Sequence, residues 1–275
     1  MQLRTSIIQL NSQDHLEENL AAADQLLDRA ADAGAQFVTL PELWTYLGSY
    51  SGYDKAAQTL SGPAVHMLQE KARRHNMIIH GGSFVEPHPH LEGKFYNTSV
   101  LINRAGEIAA VYRKIHLFDV DLAGGETHHE SDRIVPGDSI VTSDIDGVIF
   151  GLTVCYDLRF PELYRSLALQ GAQILLVPAA FTLHTGRDHW EVLLRARAIE
   201  NQCFVVAAAQ VGKNPPDRQC FGRAMIVDPW GLVLAQAPDM PTIITADVNL
   251  AQIEMVRTQI PSLKHRKPEL YKLDL

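Results

Sequence analysis

Three side chains of this 275-residue sequence have the right types to work together on a carbonyl carbon: Glu42 in Leu40-Pro41-Glu42, Lys114 in Tyr112-Arg113-Lys114, and Cys155 in Val154-Cys155-Tyr156. Acyl transfer by a thiol needs a nucleophile, a group that takes and returns its proton, and a cation or N–H-rich pocket for the oxyanion. Each of the three falls just after an apolar run that reads as a strand, and in α/β architectures sites form at the carboxyl ends of strands. Pro161 suits the first turn of a helix, so Cys155 lies at a strand-to-helix turn near the positive end of the helix dipole, where a thiolate is favoured over a thiol. Each residue also has a plainer reading. Cys155 could be a small buried hydrophobe, Lys114 a solvated surface lysine, and Pro41-Glu42 the start of a loop or helix.

The elements that must carry these groups alternate along the chain. Leu3 to Leu10 reads as a first strand, and Leu16, Leu20, Ala23, Leu27 and Ala30 recur at helical spacing up to Gly34. Gln36 to Leu40 is a second strand, Pro63 opens a helix reaching His75, and Met77 to Val85 is a third strand, with Gly81-Gly82 leaving room for close backbone approach. Phe95 to Asn103 and Glu107 to Arg113 read as a hairpin, and the aperiodic stretch from Ile115 to Asp138 as one long loop of a length that is usually functional or disordered. After Cys155 come a helix from Pro161 to Gln170, a strand from Gln173 to Val177, a helix from Arg187 to Gln202 and a strand from Cys203 to Ala209. A hairpin over 223–236, a strand over 242–248 and a helix over 250–260 follow, with a tail from about residue 261. The mixed order with hairpins predicts α/β sheets covered by helices in one domain over residues 1–275, not a purely parallel sheet.

A hydrophobic content of 46% supports a sizeable core, while the formal charge of -8 gives no footprint for nucleic acid or an anionic membrane. Three widely spaced cysteines, Cys155, Cys203 and Cys220, argue against a disulfide framework and for a cytoplasmic protein. The N-terminal residues lack the apolar core of a signal peptide, and no segment approaches a membrane span.

Leu40-Pro41-Glu42, Tyr112-Arg113-Lys114-Ile115-His116-Leu117-Phe118 and Val154-Cys155-Tyr156-Asp157-Leu158-Arg159-Phe160-Pro161-Glu162-Leu163 closely resemble the three signature segments of the nitrilase, or carbon-nitrogen hydrolase, superfamily. Their order and spacing fit as well, with Lys114 72 positions after Glu42 and Cys155 41 after Lys114. The resemblance implies a four-layer αββα sandwich that dimerises through its sheet layers, and a catalytic set of Glu42, Lys114 and Cys155. By the same likeness, Glu42 serves as general base, Lys114 and the Tyr156 backbone N–H hold the oxyanion, and a cysteine thioester carries the acyl group. No cofactor is implied. Glu130, in His129-Glu130-Ser131, aligns with a second active-site glutamate of the superfamily, orienting substrate or Lys114.

His116, Asp119, Asp121, Glu126, His128, His129 and Glu130 crowd the long loop, but their spacing completes no tetrahedral set, and no metal site is expected. The stretches 178–191 and 194–202 resemble the branch that contains ω-amidase and deaminated-glutathione amidase, which implies a small carboxylate-bearing amide as substrate and release of ammonia. Arg159 is then either a clamp for the substrate carboxylate or a structural partner of Asp157 or Glu162, and Phe181 and Thr185 line the pocket by analogy. The stretch Leu43 to Tyr50 departs from the ω-amidase pattern, so the particular substrate stays open. Competing readings are an N-carbamoyl amide hydrolase, a true nitrilase, or a catalytically silent binding protein.

Overall fold

The structure is a computed structural model and describes residues 1–121 and 127–271, so Glu126 of the long loop lies outside it. Its first sheet begins with β1 (Gln2–Gln9), β2 (Phe37–Thr39) and β3 (Ile78–His80), each parallel to the one before. β3 and then β4 (Phe84–Pro87) pair antiparallel with one edge of β5 (Phe95–Ile102), whose other edge takes β6 (Ile108–Arg113). A two-stranded hairpin, β7 (Asp119–Asp121) with β8 (Thr127–His129), lies within the long loop.

The second sheet runs from β9 (Thr142–Ile145) and β10 (Val148–Leu152) through β11 (Ile174–Leu176) and β12 (Phe204–Ala207). A detached hairpin of β13 (Val211–Asn214) and β14 (Arg218–Phe221) follows, before β15 (Met225–Val227) and β16 (Val233–Gln236) complete that sheet. β17 (Thr242–Asn249) returns to close the edge of the first sheet against β1. The helices are α1 (Leu16–Asp32), the single turn α2 (Tyr53–Ala56), α3 (Pro63–His75), α4 (Pro161–Leu169), α5 (Leu183–Asn201) and α6 (Ala251–Gln259).

Successive strand residues point to opposite faces, and the first sheet uses both faces. Ile8, Val38, Ile79 and Ile102 pack outward on Ala23, Leu27 and Ala30 of α1 and Val65, Leu68 and Ala72 of α3. Their neighbours Ile7, Phe37, Ile78 and Leu101 face inward, into one core with Phe150, Leu152 and Leu175 of the second sheet. Phe37 and Phe150 meet there with ring centroids 5.0 Å apart. Leu163, Leu167, Trp190 and Leu194 of α4 and α5 belong to the same core as the second sheet's strands. The result is an αββα sandwich in which inner strands are buried on both sides, which is why they read as continuous apolar runs. Each such Leu, Ile or Phe contributes roughly 1.5–3 kcal/mol relative to exposure.

The expected strand over 77–85 is two strands. Gly82 has φ +54°, and a Cβ there would sit 2.1 Å from the Pro41 carbonyl oxygen, so the chain bends where the Glu42 loop presses on it. The aperiodic loop after Lys114 gains β7–β8 and a 3-10 turn over Glu130–Asp132, while β9 and the β13–β14 hairpin carried no periodic signal strong enough to mark them. The helix expected to begin at Arg187 begins at Leu183, because Thr182 caps it by accepting the Thr185 N–H. Gly186 falls in its first turns because the Phe221 side chain would meet a Cβ there at 2.4 Å. No helix among the described residues is long and apolar enough to cross a membrane.

His80 is fully buried between Thr39 Oγ1, 2.7 Å from Nδ1, and Ser99 Oγ, 2.8 Å from Nε2. Burial pushes its pKa down from 6.5 to about 3. A depressed folded pKa means the unfolded chain binds this proton first, so the stability held above pH 6.5 is lost as pH falls towards 3, by up to about 1.4 kcal/mol per unit. Urea unfolding of wild type and His80→Gln at pH 7, 5.5 and 4.5 is expected to show a shallower acid loss in the variant; parallel losses would refute this assignment.

Candidate active site

The Glu42 carboxylate is held by the loop that leaves β2. Leu43 takes φ +51°, its N–H donates to Ser83 Oγ at 3.1 Å, and the indole of Trp44 donates to the Gly81 carbonyl at 2.8 Å. The Gly81–Ser83 bend therefore fixes the glutamate, which is buried. Its Oε2 accepts the Ala180 N–H at 2.8 Å, and its Oε1 accepts Asn97 Nδ2 at 2.9 Å and Lys114 Nζ at 3.2 Å.

Lys114 follows β6 directly, its N–H bonded to the Asn97 carbonyl at 2.9 Å, and its side chain is buried. Nζ donates to Glu130 Oε2 at 2.7 Å as well as to Glu42, and Glu130 in turn accepts Phe118 N–H at 2.7 Å and Asn97 Nδ2 at 3.3 Å. Burial opposes the charges of both Lys114 and Glu42, yet their attraction outweighs it. The two glutamates hold the lysine well above its usual range, and Lys114, the neighbouring thiol and the Ala180 N–H hold Glu42 below the usual carboxylate range. An ammonium has three donors, so one remains for a ligand after these two bonds.

Cys155 opens a 3-10 turn, Cys155–Arg159, between β10 and α4, with Pro161 at the helix start. The cysteine has φ +47°, an uncommon conformation for a side-chain-bearing residue, and its N–H donates to the Pro178 carbonyl at 2.9 Å. Asp157, fully buried, pins the turn: one oxygen accepts the Val154 N–H and the Tyr112 hydroxyl at 2.8 and 2.6 Å, and the other binds the backbone and ring of His116 at 3.1 and 2.7 Å. The thiol faces Glu42. Burial first, and then that carboxylate, push its pKa well above the ordinary cysteine value, against the pull of Lys114. This corrects the expectation of a thiolate favoured by the helix dipole: the resting group is a neutral thiol beside an ionised carboxylate, so the proton acceptor is built in.

These groups line one cavity together with Leu43, Tyr50, Tyr53, Phe118, His128, Tyr156, Arg159, Phe181, Thr185 and Arg218. Every residue given a catalytic or substrate-binding role from sequence, Glu42, Lys114, Cys155, Glu130, Tyr156, Arg159, Phe181 and Thr185, thus lines the same space. Arg159 pairs with neither Asp157 nor Glu162. Its guanidinium lies 5.1 Å from the Phe181 ring centroid and 5.9 Å from that of Tyr156, with Nη1 3.2 Å from His189 Nδ1. Two contributors escaped the sequence reading. Asn97 was marked only by being an amide inside an apolar strand, and Arg218, on the β13–β14 hairpin, had no local signal at all.

A buried glutamate–lysine–cysteine cluster at the strand ends of an αββα sandwich defines a class of hydrolase, and residues 4–258 match the carbon-nitrogen hydrolase family. The chain belongs to that family. It is 45% identical to a deaminated glutathione amidase of Synechocystis over 94% of this chain and 96% of that one. It is also 37% identical to mouse omega-amidase NIT2, over 98% and 97% respectively. Among solved structures, the NitFhit protein of Caenorhabditis elegans superposes with a TM-score of 0.93 at 37% identity, covering 99% of this chain and 66% of that one. The protein is therefore a carbon-nitrogen hydrolase acting on amides, and the reading as a silent binding protein is set aside.

Proposed function

We propose that the chain hydrolyses the distal amide of a small carboxylate-bearing amide, an α-keto acid ω-amide or deaminated glutathione, through a thioester on Cys155. The observation that carries this reading is the meeting of ionised Glu42, cationic Lys114 and a neutral Cys155 thiol in one buried cavity lined also by Arg159, which pairs with no carboxylate among the described residues. Glu42 takes the thiol proton as Sγ attacks the carbonyl carbon. The third donor of Lys114 and the Tyr156 N–H stabilise the oxyanion, Glu42 returns the proton to the departing nitrogen, and the C–N bond breaks. Water, deprotonated by Glu42, then attacks the thioester and frees the acid and the thiol. Glu130 keeps Lys114 aimed, while Arg159, Phe181 and Thr185 receive the acyl chain, with the guanidinium on its carboxylate.

The names of the similar proteins support this substrate class. The test is a panel of α-keto acid ω-amides, deaminated glutathione, N-carbamoyl amines and aliphatic nitriles, with amine, ammonia, carbon dioxide and acid measured. Turnover is expected for the first two; carbon dioxide release, or turnover of nitriles alone, would displace the reading.

The active form in this reading is a cytoplasmic homodimer of one-domain chains. Support for self-association comes from Val192 and Ile199 on one side of α5, exposed beside Trp230 and Leu232, with Ile199 Cδ1 close against Gly231. Light scattering that returned the mass of a single chain would count against the dimer. Three buried free cysteines suit a reducing compartment, which cell fractionation checks.

A further inference from the structure

Asn97 is an amide that the fold keeps buried at a cost. It lies on β5, 1% exposed, and its Oδ1 accepts no hydrogen bond from the described residues. A buried carbonyl without a donor is destabilising in a way that an apolar side chain of similar size is not, so the gain lies at the other end of the amide. There Nδ2 donates to Glu42 Oε1 at 2.9 Å and to Glu130 Oε1 at 3.3 Å, which uses both of its hydrogens. Turned over, the amide would set Oδ1 against two carboxylates, so charge fixes its orientation. The backbone carbonyl of the same residue accepts the Lys114 N–H at 2.9 Å. Asn97 thus touches Glu42, Glu130 and Lys114 from behind, without itself lining the cavity.

These bonds divide unequally between the two oxygens of Glu42. Oε1 accepts both Asn97 Nδ2 and Lys114 Nζ, at 2.9 and 3.2 Å, and two donors fill the lone pairs of one carboxylate oxygen. Oε2 accepts the Ala180 N–H at 2.8 Å and keeps a lone pair open. It is also the oxygen on the nucleophile's side. The segment 178–180 that binds it holds Cys155 as well, because the Cys155 N–H donates to the Pro178 carbonyl at 2.9 Å. We propose that Asn97 is a positioning residue that, with Lys114, fills Glu42 Oε1 and so reserves Oε2 as the atom that takes the Cys155 proton and returns it to the leaving nitrogen. The assignment rests on Glu42 as the base of the amidase reading and adds which oxygen carries the proton and what selects it. The step balances: the Sγ–H bond breaks, its electron pair forms Sγ–C, and the proton moves to Oε2; when C–N breaks, that bond's electron pair takes the proton from Oε2. Without the amide, Oε1 gains an open lone pair where a proton rests out of reach of the leaving nitrogen. Ionised Glu42 also loses a donor, and Lys114 alone is left between two like charges, so the carboxyl holds its proton to higher pH.

The experiment uses the full chain, with Asn97→Leu, which removes both donors at similar volume, and Asn97→Ser, which keeps one O–H donor in less volume. Two profiles are taken from about pH 4 to 9: the rate at which iodoacetamide alkylates Cys155, which needs no amide substrate, and kcat and KM on the best amide of the panel. In Asn97→Leu the acid limb of both profiles is expected about one pH unit above that of wild type, with a smaller shift in Asn97→Ser. At pH 7, kcat of Asn97→Leu is expected to fall about ten- to hundredfold with KM within about threefold of wild type. A role in packing alone would lower the melting temperature and leave both limbs in place. An acid limb within about 0.3 unit of wild type in folded Asn97→Leu overturns the inference, and where that variant does not fold the limb of Asn97→Ser decides by the same criterion. Wild-type alkylation that sets in only in the alkaline range is the distinct result that removes Glu42 as base, and with it the reading on which the assignment rests.

Discussion

Cys155→Ala is expected to lower kcat by on the order of 10⁴-fold or more, with the fold intact. Among the described residues Cys155 supplies the one thiol that lines the cavity with Glu42 and Lys114. Cys203 is turned away, its sulfur on the carbonyls of Ala172 and Asn201, and Cys220 lies within the cluster formed by Leu43, Tyr46 and Tyr53. Removing Sγ takes away a few atoms at a site already closed by Val154 and Leu158, and the φ of +47° costs alanine no more than cysteine, so unfolding is not the expected route to inactivity. Rapid acid quench of wild type during turnover, followed by intact-protein mass spectrometry, should show the acyl adduct, and the variant should show none. Activity within tenfold of wild type in Cys155→Ala would end the thioester mechanism.

The second large effect is at Glu42. Glu42→Gln preserves the shape but keeps one acceptor oxygen of the two, so it can satisfy either Ala180 or the Asn97 and Lys114 donors and not all three, and it removes the ionised group placed to take the thiol proton; a loss of about 10²–10⁴ in kcat follows. Because the thiol of wild type is held protonated by burial and by this carboxylate, replacing the carboxylate lowers the thiol's pKa while leaving its proton with no acceptor. The variant should therefore regain reactivity towards iodoacetamide as pH rises, where wild type reacts through Glu42 at neutral pH. The pH profile carries the same sign. Glu42 is held below its ordinary value of 4.5, so base function, and the stability from its ion pair, is complete above that pH and lost as pH falls through the lowered folded value. Lys114, held well above 10.5, keeps its charge through the alkaline range. A kcat/KM plateau from about pH 5 to 9 is the expected result for this set; an acid limb centred near neutrality would show that another group is the base.

The apolar runs of the inner strands and the breaks at Pro63, Pro161 and Gly34 were legible because a strand buried on two faces must be continuously hydrophobic and because proline and glycine act on the backbone locally. Glu42, Lys114 and Cys155 were legible for a related reason: each sits in a contiguous segment at a strand end, where local sequence and position in the sheet coincide. Asn97 was not. It differs from any polar residue in a strand only in that β5 brings its amide between Glu42 and Glu130, a pairing decided by register against β4 and β6.

The chain's own sequence thus determined which residues have the chemistry and which strand ends present them, together with the sandwich implied by segments that resemble those of the carbon-nitrogen hydrolases. Tertiary structure decided the rest. Whether Cys155 rests as thiol or thiolate depended on Glu42, 113 positions away, and on burial, and no local helix dipole could settle it. That Arg159 does not pair with Asp157 went with Asp157 being claimed by Tyr112, His116 and Val154, and that Arg218 reaches the cavity followed from a hairpin held by Phe181 and Gly186. Charge state and pairing arise from through-space distances and lost solvent, and those quantities exist only once the two sheets have closed on each other.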